Sequence, residues 1–252
     1  MKIFSVNGIS KSGKTTTIEN IIKELKRRGY TAGTVKEIHY EKFKIDTEGT
    51  NTFRHKDAGA ELVTARGYYE TDVLFPRNLS IEEILKFYNT DYVIMEGVRE
   101  SSCPAVLCAH SKEDIEAKKN DEFYKRVFLI SGVVSASINE FEGVPVIDSM
   151  TNIVGLVDKI EKDVFEMLPD FPPECCSACG QSCRELSALI LKGKADRSDC
   201  VLKKEKIILK VNDKKIAIVP FVQGILRDSI IAMVKNLKGC EEPANIVIEI
   251  ND

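Results

Sequence analysis

Residues 8–15, GISKSGKT, are the stretch whose residue types and spacing point most directly to chemistry. They match G-x-x-x-x-G-K-[ST], a pattern in which glycines let successive backbone N–H groups surround a phosphate chain. In this pattern Lys14 reaches the β- and γ-phosphates, and Thr15 places its hydroxyl on Mg²⁺. We therefore predict a nucleotide-binding loop. Its predicted contact residues are Gly8, Ser10, Lys11, Ser12, Gly13, Lys14, Thr15 and Thr16.

Two carboxylates are candidates for action on the nucleotide, because proteins with such a loop use an acidic side chain to orient Mg²⁺ or water. Glu96 follows the apolar run YVIM and precedes a glycine, so we expect it at the carboxyl edge of a sheet beside the loop. Asp46 lies in a long polar loop, where proteins of this class contact the metal and the γ-phosphate. For each, the alternative is an ordinary surface carboxylate. Lys36 and Arg54 could likewise pair with phosphate oxygens or be solvated charges.

The stretch ECCSACGQSC contains four of the eight cysteines of the chain. A C-x₂-C-x₃-C motif is followed, after sixteen further residues, by one more cysteine. Three thiolates gathered by one turn and a fourth returned by a helix suit a [4Fe–4S] cluster. A structural zinc site more often has two C-x₂-C pairs, and zinc or thiols without metal remain alternatives. The predicted ligands are Cys176, Cys179, Cys183 and Cys200, with Cys175 as an alternative first ligand.

The elements around these residues are predicted to alternate between strands and helices. One helix carries Ile18, Ile21 and Leu25 and ends at Gly29, a second follows a Ser80–Glu83 capping box, and a third covers residues 151–168. This alternation favours an α/β fold with a mainly parallel sheet covered on both faces, as in P-loop NTPases. The predicted strands are residues 2–6, 31–36, 61–65, 70–75, 91–95, 104–109, 126–130 and 144–147.

The last third of the chain differs in character. DFPPE, residues 170–174, breaks the third helix with two prolines. Beyond the cysteines, two apolar runs flank Asn212-Asp213 as a hairpin, a helix follows at 221–238, and NIVIEI is a final strand, giving a small ββαβ unit. We predict a nucleotide-binding domain at 1–169, a cysteine-rich segment at 170–203 and the ββαβ unit at 204–252.

The composition excludes several classes of protein. With 43% hydrophobic and 30% charged residues and a net charge of −3, the chain lacks the basic excess of nucleic-acid-binding proteins. No apolar run approaches the roughly 18 residues that a membrane span needs, and the N-terminus does not resemble a signal peptide. We expect a cytoplasmic protein that binds neither nucleic acid nor membrane, and in a reducing compartment clustered cysteines favour metal over disulfides.

Four stretches together resemble the MobB family of molybdopterin-guanine dinucleotide biosynthesis proteins: GISKSGKTT, GYTAGTVK, IDTEGTNTFRHKDAGA and DYVIMEGVRE. The resemblance covers residues 1 to about 168. Its most specific part is a string that P-loop proteins in general do not share. That string is Asp46, Gly49, Thr52, Arg54, Ala58, Gly59 and Ala60.

The resemblance implies GTP binding with weak hydrolysis, a homodimer, and assistance to a MobA-like guanylyltransferase that joins GMP to molybdopterin. It gives Lys14, Asp46 and Glu96 roles in hydrolysis, and Thr15, Asp46 and Glu96 roles as Mg²⁺ ligands. The guanine preference depends on the resemblance, since the chain has no N-K-x-D signature.

Two positions depart from the family pattern. The histidine-rich stretch after the TVK strand is reduced to EIHY, which leaves His39, and Asn51 replaces an aspartate. The loss of negative charge at Asn51 weakens any metal contact there.

The segment around the cysteines resembles the four-cysteine cluster domain of corrinoid iron–sulfur proteins, in which one gap is usually a residue longer. Together the two resemblances indicate a GTP-binding accessory protein of molybdenum or tungsten cofactor maturation with a fused iron–sulfur module. One alternative is a nucleotide-dependent metal-delivery or redox-sensing adaptor. A small-molecule kinase is disfavoured, because the sequence offers no Arg-rich lid and no acceptor base.

Overall fold

The computed structural model describes residues 1–170, 179–200, 207, 209–211, 214–216, 218, 220–240 and 246–248. The chain divides into two compact units. The first comprises Met1–Ser101 and Ala105–Val164, and the second comprises Ser102–Pro104 and Phe165–Asp252. The three-part division drawn from the sequence is finer and stays a prediction.

The first unit is built on a parallel five-stranded sheet with the order β2-β5-β1-β6-β7, which confirms the predicted fold class. Two further pairs of strands form small antiparallel hairpins outside this sheet. The strands are β1 (Lys2–Gly8), β2 (Ala32–Lys36), β3 (Val63–Arg66), β4 (Thr71–Leu74), β5 (Tyr92–Glu96), β6 (Ala105–Cys108), β7 (Val127–Ser131), β8 (Glu140–Phe141) and β9 (Val144–Pro145).

The central strands form where the sequence is continuously apolar. In β6 and β7 every residue is buried, and in β5 every residue is buried except Glu96 at its end. Such runs are typical of parallel strands that are covered on both faces. The predicted strands 61–65 and 70–75 instead pair with each other as β3 and β4, because the link between them is too short for a parallel crossover.

Five helices belong to the first unit: α1 (Lys14–Arg27), α2 (Asn51–Asp57), α3 (Ile81–Leu85), α4 (Lys112–Lys118) and α5 (Ile153–Asp163). The prediction that α5 continues to residue 168 is wrong, because Val164 adopts an extended backbone. The capping box at Ser80 and Glu83 is confirmed. Helix α2 was not predicted, because it has no apolar periodicity, and accordingly none of its residues is buried.

A carboxylate on α1 organises the contact between α1 and α5. Glu24 accepts hydrogen bonds from Arg27 Nε at 2.7 Å and Arg28 Nε at 2.8 Å, and its side chain is 5% exposed. Arg28 also pairs with Asp158 and Glu161, each at 2.7 Å. The hydrogen bonds from Arg27 and Arg28 lower the pKa of Glu24 to about 2.

We expect this network to make stability depend on acid pH. Because folding lowers the pKa of Glu24 from 4.5 to about 2, its contribution is complete above pH 4.5 and is lost as the pH falls toward 2. Glu24→Gln should lower the melting temperature by several degrees at pH 7 and by much less near pH 2. Glu19→Gln, an exposed change on the same helix, is the control. An equal decrease in the melting temperature of Glu24→Gln at both pH values would contradict the proposed role of the ionised Glu24 carboxylate.

The second unit contains α6 (Cys183–Leu191), β10 (Leu209–Val211), β11 (Lys214–Ile216) and α7 (Pro220–Lys235). Ser182 and Glu185 form a capping box at the start of α6. The predicted hairpin and the helix after it are confirmed. In the predicted last strand, residues 246–248 form neither helix nor strand, and the rest lies outside the described residues. None of the helices in the described part of the chain has both the length and the hydrophobicity that crossing a bilayer requires.

Candidate functional site

The predicted phosphate loop connects β1 to α1 in a tight curve. Lys11 and Gly13 both have positive φ, 61° and 94°, and alternation with a left-handed backbone is typical of loops whose N–H groups converge on an anion. Gly8 has a φ of 150°, and a Cβ there would lie 2.1 Å from the carbonyl oxygen of Cys108. The loop therefore requires glycine at this position for space as well as for conformation.

Two side chains of the loop bond to the loop itself. Lys14 Nζ donates hydrogen bonds to the carbonyl oxygens of Gly8, at 3.0 Å, and of Ile9. Ser12 Oγ donates to Ile9 at 2.9 Å, and Ser12 is fully buried. Ser12 therefore stabilises the loop from its buried side. It is the one predicted contact residue that does not line the cleft above the loop.

A cleft of about 710 Å³ opens above the loop, at the edge of the sheet where the parallel strands end. Its walls come from the loop, the residues after β2 and the residues after β5. An edge of this kind, where several loops meet, is the usual ligand site of open α/β sheets. The lining residues are Gly8, Ile9, Ser10, Lys11, Gly13, Lys14, Thr15, Thr16, Lys36, Glu37, His39, Glu96, Gly97 and Arg99.

Glu96 lies where the sequence predicts, at the end of β5 and beside the loop. It is in register with Val6 of β1 on one side and with Lys36 of β2 on the other. Its Oε1 atom is 2.6 Å from Lys36 Nζ, and its side chain is 14% exposed. The carboxylate thus lines the cleft, where it can bind a cation or accept a hydrogen bond from water.

Asp46 is not among the residues that line the cleft. Its carboxylate accepts hydrogen bonds from Thr50 Oγ1 and Thr52 Oγ1, both at 2.9 Å, and from Lys56 Nζ at 3.2 Å. Burial raises the pKa of Asp46, but these hydrogen bonds outweigh burial and the pKa is lowered. In this arrangement Asp46 orders the turn that starts α2, and its predicted magnesium role stays a prediction. Arg54, on α2, also lies outside the cleft lining.

Sequence reasoning did not assign Glu37, Arg99 or Gly132 to the site. Glu37 and Arg99 could have been found from the rule that residues following parallel strands share one edge. Gly132 follows β7 with a φ of 88°, and a Cβ there would lie 2.1 Å from the carbonyl oxygen of Ser12. The backbone of Gly132 therefore supports the phosphate loop from behind.

The three described cysteines of the predicted cluster share the small core of the second unit. Cys183 and Cys200 are buried with Leu168 and Leu186, and the half-buried Cys179 packs against them. That one turn and one helix bring the four predicted ligands together stays a prediction. Cys175 and Cys176 lie outside the described residues. Within the described ranges, no three His, Cys, Asp or Glu side chains are grouped closely enough to hold a metal ion.

Comparison with known proteins shows which family this chain belongs to. Residues 3–130 match the model of a family described as MobB, molybdopterin guanine dinucleotide synthesis protein B. The chain belongs to the MobB family. A MobB relative from Methanocaldococcus jannaschii, called a putative molybdopterin-guanine dinucleotide biosynthesis adapter protein, is 32% identical over 256 aligned positions, which span 100% of this chain and 98% of the relative.

Other MobB proteins match a smaller part of the chain. A Bacillus subtilis relative, called a probable adapter protein of the same pathway, is 33% identical over 119 residues, 46% of this chain and 69% of the relative. The crystal structure of Bacillus subtilis MobB superposes with a TM-score of 0.52 at 25% identity, covering 63% of this chain and 98% of that one. The family model ends at residue 130, whereas the archaeal relative aligns across the cysteines as well.

Proposed function

We propose that this MobB protein binds GTP and Mg²⁺ in the cleft above the phosphate loop and acts as an adapter in the synthesis of molybdopterin guanine dinucleotide. The proposal rests on one observation: Lys14, Thr15 and Glu96 line the same cleft in a chain that belongs to the MobB family. The adapter role is supported by the descriptions of the two relatives.

The residues of the cleft suit a triphosphate and a divalent cation. The N–H groups of the loop and the Lys14 ammonium would hold phosphate oxygens, and the Thr15 hydroxyl would ligate Mg²⁺. Glu96 is placed to orient a ligand water of the metal or the water that attacks the γ-phosphate. We propose that GTP hydrolysis is weak, as the resemblance to the MobB family implies. The predicted contribution of Asp46 would require its carboxylate to leave Thr50 and Thr52.

Calorimetric titration with GTP and with ATP, each with and without Mg²⁺, tests the proposal. GTP should bind more tightly than ATP, and Mg²⁺ should strengthen binding of both. Tighter binding of ATP would contradict the proposed preference for guanine but would still be consistent with the proposed phosphate site. Failure of both nucleotides to bind at millimolar concentration would contradict the whole proposal.

We propose that the protein works as a homodimer with a MobA-like guanylyltransferase as its partner. Support comes from exposed apolar side chains on the loop after β2 and on the β3–β4 hairpin. Tyr40 is 64% exposed, Ile45 74%, and Tyr68 and Tyr69 are each fully exposed. We propose that these side chains contribute to the contact surface, since contiguous exposed apolar patches mark interaction sites.

For the second unit we propose a [4Fe–4S] cluster bound by Cys176, Cys179, Cys183 and Cys200, with zinc as the alternative. Support comes from the three thiols in one core and from the capping box that fixes the start of α6 at Cys183. Four thiolates at separated corners match the one sulfur that each iron requires. Bound there, such a cluster would supply electron transfer or redox sensing.

We expect protein purified without oxygen to contain four irons with matching sulfide per chain and to absorb broadly in the visible range. Cys179→Ser should abolish or sharply reduce the iron content and leave GTP affinity nearly unchanged. Cys240→Ser, a half-buried cysteine outside the cluster motif, is the control and should keep its iron. A colourless protein with one zinc per chain would contradict the iron assignment, and a large loss of GTP affinity in Cys179→Ser would show that the two sites are coupled.

A further inference from the structure

Arg99 is an exposed cation of the cleft that, like Lys11 and Lys14, forms no salt bridge with a carboxylate in the described part of the chain. Lys14 donates to loop carbonyl oxygens, and Lys36 pairs with Glu96. The Arg99 guanidinium lies 5.9 Å from the centroid of the Phe123 ring, and within the described part of the chain no carboxylate forms a salt bridge with it. An exposed guanidinium that lines a cleft without an acidic partner is free to bind an incoming anion.

The backbone that carries Arg99 is fixed at three consecutive residues. The amide of Gly97 donates to Val6 at 3.0 Å, which joins the loop to β1. The carbonyl oxygen of Val98 accepts from Asn7 Nδ2 at 3.2 Å. The carbonyl oxygen of Arg99 itself accepts from Arg126 Nη2 at 3.3 Å.

Arg126, the donor of this last hydrogen bond, lies in the protein interior. It is 2% exposed and is the largest side chain among those that are fully buried in the described residues. A buried guanidinium is costly unless its donors are used, so its hydrogen bond to Arg99 is difficult to exchange for one to water. The loop therefore presents the Arg99 side chain from a rigid base, on the side of the cleft where Glu96 lies.

We propose that Arg99 binds the terminal phosphate of the nucleoside triphosphate and so distinguishes the triphosphate from the diphosphate. The inference rests on the proposed nucleotide binding and adds a residue to it. The loop amides serve phosphates that both nucleotides share, and Lys14 reaches the β- and γ-phosphates. The strand that ends in the acidic residue faces the metal and the γ-phosphate, so Arg99 would join Lys14 at the terminal phosphate. Arg99 follows the acidic residue by three positions, and its planar group can give two parallel hydrogen bonds to one phosphate.

Calorimetry with GDP and with a GTP analogue that resists hydrolysis, both with Mg²⁺, tests the proposal. Arg99→Ala should weaken binding of the analogue by about tenfold to a hundredfold, the range for hydrogen bonds to a charged group, and leave GDP binding nearly unchanged. Arg99→Lys should recover part of the loss, because lysine restores the charge without the paired donors. Arg66→Ala, on exposed β3 and outside the cleft lining, is the control.

The outcomes separate this inference from the function on which it rests. If Arg99→Ala weakens both nucleotides equally, or neither, the assignment to the terminal phosphate is overturned while nucleotide binding stands. If the unmodified protein binds neither nucleotide, the proposed function fails and the inference fails with it.

Discussion

Lys14→Ala is expected to weaken GTP binding by about a hundredfold or more. The change removes the one ammonium group that bonds within the phosphate loop, and each hydrogen bond to a charged group contributes about 1.5–3 kcal/mol. Two such bonds, to the β- and γ-phosphates, account for a loss of this size. Calorimetry with GTP and Mg²⁺ measures the effect directly.

Folding should survive this change, because Lys14 is only partly buried and its partners are carbonyl oxygens that water can solvate. Lys23→Ala is the matched control, an exposed lysine on the same helix that should bind GTP as the unchanged protein does. Binding of GTP to Lys14→Ala with unchanged affinity would show that the nucleotide site lies elsewhere. A lower melting temperature without ligand would show that the lysine instead stabilises the fold.

The phosphate loop and the central sheet were predictable because each depends on neighbours in the chain. The glycines of the loop and the apolar run before Glu96 set local conformation and burial, and the rule for parallel strands places their ends together. The position of Glu96 followed from these two facts alone. The same reasoning predicts the start of α3, where the capping box needs only Ser80 and Glu83.

Features that depend on which side chains meet in three dimensions could not be predicted. The partners of Asp46 are threonines and a lysine that any polar loop contains, and only the fold shows that they hold it away from the cleft lining. Arg99 carries no motif of its own, and its attachment to Arg126 joins residues 27 positions apart. In the second unit, the spacing predicts the cysteine ligands, but spacing alone could not show that Cys183 and Cys200 are buried with Leu168 and Leu186.

Gly132→Ala is expected to damage the phosphate loop without altering any residue in it. A Cβ at position 132 would lie 2.1 Å from the backbone carbonyl oxygen of Ser12. The positive φ adds strain for any residue with a Cβ. The clash cannot be relieved by a side-chain rotation, since the position of a Cβ is fixed by its own backbone. Together, overpacking and backbone strain should lower the free energy of unfolding by roughly 2–4 kcal/mol. Because relief of the clash must move Ser12, GTP affinity should fall as well.

Gly143→Ala separates the two causes of this effect. Gly143 also has a positive φ, 81°, but a Cβ there would meet nothing within 4 Å. Its change should therefore cost only the backbone strain, about 1 kcal/mol, and leave GTP binding intact. Denaturant unfolding and calorimetry on both variants measure the difference. Gly132→Ala could instead be as stable as Gly143→Ala and bind GTP normally. In that case the residue that follows β7 does not hold the phosphate loop in place, and residues 8–15 set the shape of the loop by themselves.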